Sequence, residues 1–96
     1  MKTELSVGVE IVRTLADCLI AIGHVSRLKI VQYCFEPRRF TDIILNLRLN
    51  PASFKFHSKV LIDSGLIIRV ERGVYETTEL GKLLIELVNQ ASYLSN

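Results

Sequence analysis

The chain has 96 residues, of which 49% are hydrophobic and 23% charged, with both signs mixed and a net charge of +2. That suits one small domain with a single core, spanning the whole of 1–96, and excludes a disordered chain. The richest apolar stretch, Leu15 to Ile22, is too short to cross a bilayer and contains Asp17, and Met1-Lys2-Thr3-Glu4 lacks the pattern of a signal peptide.

In the first segment, about Glu4 to Ile22, Leu5, Val9, Val12, Leu15, Ala16, Leu19 and Ile20 recur at helical spacing. Val7, Ile11, Ala21 and Ile22 add apolar groups on other faces, so this helix is expected to meet a second surface besides its own core. Gly23 is expected to end it in the left-handed conformation. A second helix, about Val25 to Phe35, offers Leu28, Ile30, Val31, Cys34 and Phe35 to the core and stops at Glu36-Pro37. Arg38-Arg39-Phe40 reads as a short extended piece. Thr41 then reads as the N-cap of a third helix over Asp42 to Leu47, with Asp42 well placed in its first turn.

Arg48-Leu49 makes a turn, and Asn50-Pro51 restarts a helix, with asparagine as N-cap and proline at the first position. This fourth helix runs to about Ser64 and ends at Gly65. From Leu66 the period changes: branched apolar residues to Glu71, a turn at Arg72-Gly73 and a return over Val74-Tyr75-Glu76-Thr77 make a β-hairpin. Thr78 caps a last helix, about Glu79 to Tyr93. The expected fold is mostly α with a small hairpin, in the order α-α-(β)-α-α-β-β-α. Two short helices joined by a three-residue turn form a helix-turn-helix unit, and the hairpin after it is a wing.

Charge is uneven along the chain. From Arg27 to Lys59 there are seven basic residues (Arg27, Lys29, Arg38, Arg39, Arg48, Lys55, Lys59) and two acidic ones (Glu36, Asp42), a balance of +5. Such a local basic field is what a polyanion needs, although an ordinary solvated face carries the same residues.

Four pieces resemble the small winged helix-turn-helix regulators of the ArsR-like kind, in particular compact archaeal versions. They are Ile22 to Ile30, the Asn50-Pro51 restart, His57 to Ile67, and Gly73 to Lys82. Their order and spacing cover about two thirds of the chain, with departures at Val25, Arg48, Phe56 and Ser58. The resemblance implies a homodimer on double-stranded DNA, regulating transcription, with repression the commoner mode. It puts the fourth helix, about 51–64, in the major groove and the wing, about 67–77, along the backbone or minor groove.

On that reading Phe54, His57 and Leu61 face the core, while Ala52, Ser53, Lys55, Phe56 and Lys59 lie on the exposed side of the helix. Ser53 and Lys55 are expected at base edges or phosphate, Lys59 at phosphate, and Asn50 at the DNA end of the helix. Phe56 either touches a thymine methyl or a partner, or belongs to the core. Arg38 and Arg39 are expected to clamp the backbone, and Arg69 and Arg72 to reach DNA from the wing, though each is equally at home in solvent. His57 reads as a core histidine and His24 as a helix-start residue. The first and last helices (1–22 and 79–94) are the expected dimer interface, through Leu5, Val9, Val12, Leu19, Leu84, Leu87, Val88, Ala91 and Leu94.

Cys18 and Cys34 stand far apart in apolar segments, so neither a disulfide nor a metal site is expected, and a cytoplasmic, nucleoid-associated location suits reduced thiols. No catalytic motif or cofactor loop is visible, so the chain is not read as an enzyme. No small-molecule effector is legible. Two other readings remain: a winged-helix protein-interaction module without DNA binding, and a weakly specific chromatin-type DNA binder. Salt dependence separates the former from the regulator, and the ratio of specific to random binding the latter.

Overall fold

The structure, a computed structural model, describes residues 13–94. Among them are five helices and three strands: α1 (13–22), α2 (Val25–Tyr33), β1 (Arg38–Arg39), α3 (Phe40–Leu47), α4 (Pro51–Asp63), β2 (Ile67–Glu71), β3 (Val74–Thr77) and α5 (Glu79–Leu94). The strands form one antiparallel sheet in the order β1-β3-β2. The chain is thus mostly helical with a small sheet. No described helix is long and apolar enough to cross a membrane.

Local chemistry sets most element ends. His24 caps α2, its Nδ1 accepting from the Ser26 N–H at 3.2 Å. Asn50 caps α4 by accepting from the Ser53 N–H at 2.9 Å, with Pro51 in the first turn. Thr78 caps α5, its hydroxyl accepting from the Gly81 N–H at 3.1 Å and donating to the Gly65 carbonyl at 2.6 Å. Gly65 and Gly73 both take a φ of 75°, which suits the end of α4 and the hairpin turn. Gly23 does not: the left-handed glycines are those two alone among the described residues, and α2 follows α1 directly.

The start of α3 differs from the expected cap at Thr41. The helix begins at Phe40 with Arg39 as N-cap, and no side chain caps it. The cause is tertiary: the Phe40 N–H donates to the Gly73 carbonyl at 2.7 Å, so the hairpin turn anchors the helix start. Arg48 ends α3 at a φ of 55°, the one non-glycine residue in the left-handed region among those described. It carries the strain that a glycine would avoid.

One core joins these pieces. Ile30, Val31 and Cys34 of the second helical segment meet Ile43, Phe54, Leu61, Leu66 and Ile67, all at 1% exposure or less. Burying each large apolar side chain contributes roughly 1.5–3 kcal/mol. Phe54 meets Phe40 edge-on at 5.4 Å and Tyr75 at 5.1 Å, joining α4 to α3 and β3. Thr77 ties β3 to the end of α2: its hydroxyl donates to the Val31 carbonyl at 2.6 Å and its N–H to the Cys34 carbonyl at 2.8 Å. These bonds satisfy carbonyls that a helix end otherwise leaves without partners.

In α1 the buried residues are Cys18, Ala21 and Ile22, whereas Leu15, Leu19 and Ile20 are exposed. The described part of the stripe read as the helix's main apolar face, Leu15, Ala16, Leu19 and Ile20, therefore lies on its outer side. In α5 Leu84 and Ile85 are buried and Leu83 and Leu87 exposed. Phe35, expected in the core, is also exposed, beyond the end of α2.

Candidate nucleic-acid interface

Helix α4 fixes the geometry of the candidate site. Phe54, His57, Ser58 and Leu61 form its buried side. Ser58 stays hydrogen-bonded there by donating to the Lys55 carbonyl at 3.2 Å. The opposite side carries Ala52, Ser53, Lys55, Phe56 and Lys59, all exposed. Phe56 is 62% exposed, which excludes it from the core. Asn50 is also exposed, with its Oδ1 engaged in the cap.

The hairpin stands across from this helix. Register places Arg38 and Arg69 on either side of Tyr75, both directly paired with it. Paired residues point to the same face of a sheet, so all three side chains share the face that carries Ile67 and Thr77. Arg69 stays exposed at the margin of that face, its guanidinium 5.8 Å from the Tyr75 ring centroid. Arg38 is drawn inward: its Nε donates to the Tyr33 carbonyl at 3.0 Å, and its guanidinium lies 4.6 Å from the Tyr33 ring centroid. It binds β1 to α2, so of the expected backbone clamp only Arg39 is freely exposed. Arg72 is exposed at the hairpin turn. A bulge between Arg69 and Glu71 adds local twist before that turn.

Between α4 and the hairpin runs an open groove of about 560 Å³. Lys55 and Lys59 line it from the helix and Arg69 from β2. Lys59 is not a free cation: its Nζ lies 3.2 Å from Asp63 Oδ2, one turn on. Both groups are well exposed, so the pair is worth only a few tenths of a kcal/mol and opens readily. Asp63 is legible in the sequence as a partner four residues after Lys59. The groove is not, because it depends on how far the hairpin stands from the helix.

Behind α4, His57 packs against His24 with ring centroids 4.6 Å apart. His57 Nδ1 and Arg27 Nε are buried with no hydrogen-bond partner among the described residues. Burial lowers the His57 pKa from its usual 6.5, and the nearby His24 and Arg27 charges lower it further. The neutral imidazole is therefore the favoured form on the buried side of α4. Both cysteines are buried thiols. Burial pushes Cys34 up to about 12, and Cys18 is also raised. Among the described residues no group of three or more His, Cys, Asp or Glu is placed to hold a metal.

Of the residues expected at a dimer interface, Leu5, Val9 and Val12 lie outside the described residues, as does the side chain of Leu94. Leu19, Leu87 and Ala91 are exposed and Val88 is half-buried. Leu84 is not available: at 2% exposure it belongs to the chain's own core.

No protein-family model matches the chain, and no curated protein matches it.

Proposed function

We propose that the chain is a winged helix-turn-helix domain of the ArsR-like kind, which binds double-stranded DNA as a homodimer and regulates transcription, most simply as a repressor. The observation that carries this reading is the outer side of α4. It offers two lysines, a serine and an alanine free of the core, with Arg69 facing them across the groove and Arg72 at the hairpin turn. Small residues at the helix start, Ala52 and Ser53, let the backbone approach base edges. Lys55 reaches a guanine edge or a phosphate, and Lys59 exchanges Asp63 for a phosphate. Arg39, Arg69 and Arg72 hold the backbone on either side, which positions the protein without reading sequence.

The exposed apolar residues of α1 and α5 support the dimer. Leu15, Leu19, Leu83 and Leu87 are each more than two-fifths exposed. Two copies joined there present two α4 helices to successive major grooves, about 34 Å apart on the duplex. Light scattering at micromolar concentration reports a dimer on this reading, and a monomer overturns that part of it.

Binding to a random-sequence duplex, followed by fluorescence anisotropy at increasing salt, tests DNA recognition. If Lys55, Lys59, Arg69 and Arg72 each neutralise one phosphate in both protomers, log affinity falls against log salt with a slope of about −7. Replacing Lys55 and Lys59 with alanine weakens binding to every duplex and makes the slope shallower by about 3 to 4. No measurable affinity at low salt excludes the reading. Selection of bound fragments then measures the ratio of specific to random binding, which a chromatin-type binder lacks.

A second reading, a protein-interaction module, draws on the exposure of Phe56 and of Ile68 and Val70 on the outer face of the hairpin. Apolar docking of that kind persists as salt rises, so the same titration discriminates.

A further inference from the structure

The outer side of α4 carries one residue that phosphate contact does not use. Ala52, Phe56 and Lys59 recur at helical spacing, two residues out of step with the buried Phe54, Ser58 and Leu61. They therefore form the strip opposite the core. Phe56 stands in the middle of that strip, 62% exposed, with Ser53 and Lys55 exposed beside it. Its ring lies edge-on to the buried His57 imidazole, with centroids 5.5 Å apart. Among Ala52, Ser53, Lys55, Phe56 and Lys59 it is the one large apolar side chain. The flanking lysines suit a polyanion, and a single ring between them is far smaller than the apolar centre of a protein interface. A helix seated in the major groove on this side brings the ring to the base edges. The one apolar group those edges present is the 5-methyl of thymine, which cytosine also carries when methylated at that carbon.

We propose that Phe56 is a specificity-determining residue, which reads a 5-methylated pyrimidine in the major groove through apolar contact of its ring with the methyl group. The inference rests on the DNA-binding reading and deepens it, naming the class of base that α4 selects. Ala52, one turn before Phe56 on the same strip, is small enough to let the base edge reach the ring. The cations around the ring position the duplex without regard to sequence, so the methyl contact is where discrimination enters. Each methyl taken out of water against the ring strengthens binding about fourfold, and two protomers on one duplex together on the order of tenfold.

The test compares two alternating duplexes by fluorescence anisotropy at low salt, one of adenine and thymine and one in which uracil replaces every thymine. The full chain binds the thymine duplex more tightly, by about fourfold to on the order of tenfold. Phe56→Ala is an exposed substitution that leaves the thermal melt unchanged, and it brings the two affinities together to within about twofold. A second pair separates the methyl group from the shape of A·T-rich DNA. In it a G·C-rich duplex of mixed sequence gains affinity by a similar factor when its cytosines carry a 5-methyl group, again only with Phe56 in place. Equal affinity for the thymine and uracil duplexes overturns the proposal and leaves the DNA-binding reading standing, as does a preference that survives Phe56→Ala. A preference for thymine without one for 5-methylcytosine assigns the effect to duplex shape and also overturns it. Absence of affinity for every duplex refutes the DNA-binding reading and the proposal with it, and leaves the exposed ring to a protein partner.

Discussion

The imidazoles of His24 and His57 lie 4.6 Å apart, one capping α2 and the other on the buried side of α4. Arg27 of α2 is the second neighbour, and the charges of His24 and Arg27 lower the His57 pKa beyond the effect of burial. The contact between α2 and α4 thus includes an imidazole whose neutral form is favoured.

Stability should therefore fall with acid. In the folded chain the His57 pKa is below its ordinary 6.5, so the unfolded chain binds more protons as pH drops past that value. The stabilisation is complete above pH 7 and is lost progressively as pH falls below about 6.5. Thermal melts from pH 7.5 to 5 should show a declining Tm, and His57→Gln should flatten the decline. A Tm that rises toward pH 5 in the unmodified chain contradicts the packing of this imidazole.

Gly81→Ala reverses the usual gain from alanine in a helix. A Cβ at residue 81 would stand 2.5 Å from the Leu66 carbonyl oxygen and 2.6 Å from Thr77 Cγ2. The first of these is backbone, held by the Thr78 N–H at 3.0 Å, so α5 must move away from Leu66. The expected loss is about 1–3 kcal/mol by urea denaturation, against a gain of about 1 kcal/mol for an unobstructed helix site. An unchanged midpoint would show that α5 does not lie against Leu66.

Arg48→Gly works in the opposite sense. Arg48 holds a φ of 55° at the end of α3. Glycine removes the side-chain clash but adds unfolded-state entropy, leaving a net gain of about 0.5–1 kcal/mol. The urea midpoint should rise, and a fall would mean that the arginine side chain stabilises the turn in some other way.

The two thiols should resist reagents in the native protein. Cys34 has no exposed surface and a pKa pushed up to about 12, and Cys18 is 1% exposed. Because the thiolate is the reactive form, labelling by a disulfide reagent at pH 8 should be slow in buffer and complete in denaturant. Fast labelling of either thiol in native buffer would refute its burial.

Much of the architecture was written in short-range chemistry. Asn50-Pro51 opens α4, Thr78 opens α5 and Arg72-Gly73 turns the hairpin as the sequence indicates, because a cap or a turn is decided by residues within four positions of one another. The stripe of Phe54, His57 and Leu61 likewise follows from helical period alone. What the local code leaves open is which surface a given side of an element meets. The burial of Ser58 and exposure of Phe56, the inward turn of Arg38, the start of α3 at Phe40 and the contact forcing glycine at residue 81 all depend on partners distant in sequence. The groove belongs to this second class: its cations are visible one by one in the chain, but the packing of α4 against the sheet, Phe54 edge-on to Tyr75 included, brings those charges to one opening.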